Sequence, residues 1–97
     1  MTSFEFNAES DALFEAILSL GSKKECENFF RDLCTLSELS AMTERFAIVR
    51  ALTEKKPYRQ IAAELGASTA TITRVAYWLE NGMGGYRKTL ARLHHHP

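Results

Sequence analysis

The chain has 97 residues, 45% of them hydrophobic and 25% charged, with five Gly and two Pro, a size that fits one domain. This composition excludes a disordered tail, a collagen-like repeat and a low-complexity linker, and no apolar run approaches the roughly 18 residues a bilayer span needs. The formal net charge is zero, which by itself argues against a polyanionic partner.

The pattern punctuates itself into helices. Asn7 can cap a first helix over Ala8 to Leu20, with Leu13, Phe14, Ile17 and Leu18 on one stripe and Gly21 as its stop. Ser22-x-x-Glu25 is a capping-box pattern that opens a second helix through Cys34, in which Cys26, Phe29, Phe30, Leu33 and Cys34 recur at helical spacing. Eight residues apart on one helix, the two thiols stand about 12 Å from each other, beyond disulfide reach. No Cys-x-x-Cys or Cys/His pair accompanies them, so buried reduced thiols and no metal site are expected. Thr35-x-x-Glu38 starts a third helix to about Lys55, apolar on more than one face through Leu39, Met42, Phe46, Ile48, Val49 and Leu52. A helix apolar on several sides needs several neighbours. A chain this short buries only roughly 60–68% of its unfolded surface, so two chains sharing a core through residues 1–56 are expected.

Pro57 suits the first turn of a short fourth helix ending near Leu65, and Gly66 breaks it. Ser68 or Thr69 caps a fifth helix to about Glu80, and Asn81-Gly82-Met83-Gly84-Gly85 is a loop. A last helix spans residues 86–93, with 94–97 as a frayed tail. His94-His95-His96 in that tail reads as a solvated end or a cloning remnant rather than a metal site. Strand-like alternation is absent, and the class is all-α with about six helices in a single domain. The N-terminus carries neither a basic leader nor an apolar signal core, so a cytoplasmic chain is expected.

The stretch from Pro57 to Trp78 has the helix-turn-helix pattern and occupies a unit of residues 57–80. Ala62 stands four residues before Gly66, where two crossing helices admit only a small side chain. Gly66 supplies positive φ, and Ile61, Leu65, Ala67, Ile72 and Val75 are expected to pack inward. The second helix then presents Ala67, Ser68, Thr69, Ala70, Thr71 and Thr73. Small side chains admit the backbone to a major groove, hydroxyls bond bases or phosphates, and threonine methyls meet thymine methyls. Lys55, Lys56 and Arg59 precede it, placed to hold phosphates. The charge distribution fits. Residues 1–44 carry nine acids and three bases, a net −6, whereas residues 45–97 carry nine bases and three acids, a net +6. One half can face DNA.

The run LSELSAMTERFAIVRALTEKKPYRQIAAELGASTATITR resembles the tryptophan repressor superfamily, particularly its YerC/YecD-type branch, and the resemblance covers roughly Phe29 to Leu90. It implies an intertwined all-α homodimer, a palindromic operator in double-stranded DNA and a transcriptional repressor's role. It also implies a corepressor pocket between two arginines, which fall on Arg45 and Arg74, with Thr35 in the pocket lining. Val75 stands where the tryptophan-binding member has glycine and Trp78 where it has a small serine, so the pocket is expected to be filled by its own side chains. No cofactor is expected. The resemblance leaves room for a small-molecule corepressor, and the two bulky residues speak against tryptophan. Tyr58, Ala62 and Glu80 replace a glutamine and two lysines that contact DNA in the family, which implies a different operator and weaker phosphate binding. Ion pairs of Arg45 and Arg74 with Glu38 or Glu44 are the alternative to a ligand.

A protein-interaction module is the alternative reading. In it the acidic N-terminal helices dock a partner and the helix-turn-helix remains as scaffold. An enzyme is not expected, since no Ser/His/Asp or Cys/His arrangement and no strand-borne phosphate loop is present.

Overall fold

The computed structural model describes residues 4–94. They form six α-helices and no strand: α1 (Ala8–Leu18), α2 (Lys23–Leu33), α3 (Leu36–Thr53), α4 (Tyr58–Leu65), α5 (Thr69–Asn81) and α6 (Gly85–His94). The chain groups into two compact units divided within α3, between Leu39 and Ser40.

In the first unit the caps are realised. The Asn7 side chain accepts from the N–H groups of Glu9 and Ser10, both at 3.0 Å, while Ser10 Oγ accepts from Asn7 N at 2.8 Å. Ser10 thus closes a capping box that the sequence does not advertise, because serine replaces the usual Glu or Gln. Ser22 Oγ accepts from Glu25 N at 3.1 Å, but the Glu25 carboxylate reaches back to Gly21 N instead. Thr35 and Glu38 exchange both bonds: Glu38 Oε1 accepts from Thr35 N at 2.8 Å, and Thr35 Oγ1 from Glu38 N at 3.0 Å. The Thr35 backbone N–H first, and the Thr35 hydroxyl beside it next, hold the Glu38 carboxyl below the usual glutamate range.

Burial in this unit is sparse. Ser10 is its one buried residue among those described, while Phe14, Leu18, Leu33 and Leu36 are exposed, Leu18 at 84%. The expected buried thiols are corrected accordingly: Cys26 is exposed and Cys34 half-buried. Their helix is amphipathic, but its apolar stripe has no cover deep enough to take the sulfurs out of water.

The second unit holds the core. Ile48, Val49 and Ala51 of α3, Ile61 of α4, Ala67, Ile72, Val75 and Leu79 of the next helix and its approach, and Leu90 of α6 are buried together. Phe46, Leu52, Ala62 and Tyr86 pack against them. Each fully buried Ile or Val contributes about 1.5–3 kcal/mol, and four such side chains (Ile48, Val49, Ile61 and Ile72) come from three consecutive helices. The small α4–α5 pair is therefore pinned to α3. α3 ends at Thr53, two residues before the expected stop. Lys55 adopts φ 63°, its N–H bonds Leu52 O at 3.0 Å and Lys56 N–H bonds Ala51 O at 3.2 Å. That is a Schellman close with a lysine in the position glycine usually takes. At the other end α6 takes in His94, so the frayed segment does not begin there; His95, His96 and Pro97 lie outside the described residues.

Candidate nucleic-acid interface

α4 and α5 pack against each other across a three-residue turn, Gly66-Ala67-Ser68. Pro57 stands just before α4 with extended backbone (φ −63°, ψ 148°), one position earlier than expected. Gly66 has φ 67° and its N–H bonds Ala62 O at 2.9 Å, which terminates α4 and reverses the chain. Ser68 starts α5. Its Oγ accepts from Thr71 N at 3.1 Å and donates to Thr71 Oγ1 at 2.9 Å. Leu65, expected inside, is 38% exposed; the turn needs only Ile61, Ala62 and Ala67 to seal it.

The expected reading residues separate on inspection of burial. Ser68, Thr69, Ala70 and Thr73 are exposed, Thr71 is half-buried, and Ala67 is a core residue whose side chain cannot reach a ligand. The Thr73 hydroxyl donates to Thr69 O at 2.9 Å, which fixes its rotamer and turns its remaining surface outward. Of the expected phosphate-holding cations, Lys55 and Arg59 are exposed. Lys56 is half-buried and committed: its Nζ lies 3.1 Å from Glu64 Oε1 and 3.9 Å from Glu54 Oε1. Gln60 Nε2 donates to the other Glu64 oxygen at 3.0 Å. These bonds, Gln60's first and Lys56's next, hold the Glu64 carboxyl below the usual range.

Beside α5 lies a pocket of about 450 Å³ lined by Arg45, Thr71, Arg74, Val75, Trp78 and Tyr86. The expectation that Val75 and Trp78 fill it is corrected. Val75 turns into the core at 5% exposure, and Trp78 stands out at 56%, packed edge-on against Tyr77 with ring centroids 5.2 Å apart. Trp78 walls the pocket and leaves it open. Within the second unit neither Arg45 nor Arg74 has a carboxylate in ion-pair range among the described residues. Thr35, expected in the lining, belongs to the first unit and spends its N–H and hydroxyl on the cap of α3. Thr71 and Tyr86 are the wall residues that sequence reading did not place there. Tyr86 arrives from α6 through the glycine loop, a non-local approach with no local signature. A larger cavity of about 520 Å³ shares Trp78 and Tyr86, is lined also by Phe46, Leu79 and Met83, and has no charged group in its wall.

A helix-turn-helix with a hydroxyl-rich, exposed leading face on its second helix, packed on the buried Ile48, Val49 and Ala51 of α3, defines a DNA-binding regulator. The sequence profile described as Trp repressor protein matches residues 8–94, and the chain belongs to that family. It is 45% identical over 85 residues to the uncharacterized protein YerC of Bacillus subtilis, covering 88% of this chain and 82% of YerC. It is 38% identical over 71 residues to a Trp operon repressor homolog of Chlamydia trachomatis, covering 68% of this chain and 76% of the homolog. Among solved structures, a TrpR-like protein from Eubacterium eligens superimposes with a TM-score of 0.88 at 40% identity, over 94% of each chain. The family is one of regulators rather than enzymes. No described helix is long and apolar enough to cross a membrane.

Proposed function

We propose that this chain is a homodimeric, sequence-specific transcriptional repressor that binds a palindromic operator through α4 and α5. The observation that carries the reading is the exposed face of Ser68, Thr69, Ala70 and Thr73 on a helix held rigidly by a buried core. Arg59 and Lys55 hold the flanking phosphates, and Thr71 fixes the start of α5 from within. Ala67 takes part only through its backbone, and Lys56 joins once phosphate displaces Glu64. A second copy of the chain covers the exposed apolar residues of α1 to α3 and sets two reading helices about one DNA turn apart. A compact dimer on DNA represses by obstruction.

DNA binding requires no cofactor in this reading. The pocket between Arg45 and Arg74 is where a small carboxylate or phosphate compound acts as corepressor, because Thr71 belongs to both the pocket wall and the α5 cap. Trp78 in the wall, where the tryptophan-binding member has a small serine, favours a ligand other than tryptophan.

Selection from fragmented genomic DNA at about 150 mM salt tests the proposal, with an Arg59→Ala/Thr71→Ala double variant as control. An enriched palindrome that the control loses is expected, with no change on adding tryptophan. Absence of enrichment, with partner capture that depends on Glu5 to Glu15, would replace this reading with the protein-docking one.

A further inference from the structure

Glu80 stands where the family resemblance led us to expect a lost phosphate contact, yet it does not act as a free acid. Arg87, from α6, donates through Nη2 to Glu80 Oε1 at 2.7 Å, and both side chains remain more than half exposed, at 54% and 68%. A guanidinium held this way still has most of its N–H donors directed elsewhere. We propose that Arg87, oriented by Glu80, and the Tyr77 hydroxyl form a phosphate-binding rim at the C-terminal end of α5, an inference that rests on the DNA-binding reading above.

The placement follows from helix geometry. The buried side of α5 is Ile72, Val75 and Leu79. Positions seven apart share a face, so Tyr77 stands two turns behind Ala70 and Glu80 two turns behind Thr73, all four exposed. Two side-chain bonds mark this outer surface, Thr73 Oγ1 to Thr69 O at 2.9 Å and Asn81 Nδ2 to Tyr77 O at 3.1 Å. Seven residues rise about 10.5 Å, slightly more than the roughly 8.5 Å depth of a major groove. In the reading above α5 enters the groove by its N-terminal end, so with Ala70 and Thr73 toward the groove floor Tyr77 and Glu80 stand toward the phosphates at its lip. An unpaired carboxylate there would repel DNA; the pair with Arg87 cancels that charge and leaves free guanidinium N–H donors to meet a phosphate. Tyr77, braced edge-on by Trp78, presents its hydroxyl at the same level. Arg87 is thus a contact residue and Glu80 a positioning residue.

The test is fluorescence anisotropy of the full chain on a labelled random-sequence 30-base-pair duplex, titrated across roughly 50 to 300 mM salt, since phosphate contacts are sequence-independent. Arg87→Ala is expected to flatten the log Kd against log salt slope by about 0.9 for each bound protomer. Tyr77→Phe should weaken binding about tenfold at unchanged slope, since a neutral donor is lost. Glu80→Gln should raise affinity in an Arg87→Ala background and fail to raise it in the parent chain, a dependence a merely repulsive acid would not show. Arg87→Lys serves if Arg87→Ala alters the circular dichroism spectrum, and should keep the slope. If Arg59→Ala flattens the slope and Arg87→Ala leaves it unchanged, the rim is wrong while the DNA reading survives. If the parent chain does not bind the duplex, both fall.

Discussion

A Cβ built on Gly66 meets no atom within 4 Å, so space alone does not demand glycine there; the φ of 67° does. Gly66→Val should cost about 1–3 kcal/mol, seen as a lowered thermal midpoint together with lost DNA binding, and a variant with unchanged midpoint would refute the turn. Lys55 shares the left-handed region without glycine's freedom, at φ 63°. Its Schellman bonds run through the backbone, so Lys55→Gly keeps them and sheds the steric cost. Allowing for the greater chain entropy of glycine, a gain of about 0.5–1 kcal/mol in urea unfolding is expected. DNA affinity should fall modestly in the same variant, because an exposed cation beside Arg59 is lost.

At the scale of elements, α3 depends on its first turn. Thr35→Ala removes one arm of the capping box and should destabilise by about 1 kcal/mol. The pH dependence has a definite sign. The Glu38 and Glu64 carboxyls sit below the ordinary value of 4.5 when folded. Their contribution is therefore complete above pH 4.5 and is lost as the pH falls through the lowered folded values. Thermal midpoints measured downward from pH 5 should drop, and a Glu38→Gln/Glu64→Gln variant should show a flatter decline. Protonating Glu64 also releases Lys56, so the same substitution at Glu64 alone should strengthen DNA binding at low salt.

The whole molecule is governed by unequal burial. The second unit has a sealed core, whereas Phe14, Leu18, Leu33 and Leu36 of the first remain exposed. If a second copy covers them, folding and association are linked, and the thermal midpoint rises with protein concentration. Sedimentation should give about twice the chain mass of 11.0 kDa. Leu18→Glu should shift the chain toward monomer and lower the midpoint; an unaltered monomer at all concentrations would exclude the shared core.

Local chemistry alone determined the six helices, the Asn7, Ser22, Thr35 and Ser68 caps, and the turn at Gly66, because capping and backbone conformation act within a few residues of chain. The exposed, hydroxyl-bearing face of α5 was legible for the same reason, through helical period and small side chains. Only tertiary structure decided that Lys56 is held by Glu64, that Trp78 walls an open pocket instead of filling it, and that Arg87 answers Glu80. Each of these joins groups from different elements of the fold or sets the depth to which a side chain is covered. Such distances follow from packing around Ile48, Ile61 and Ile72, and residue spacing along the chain carries no record of them.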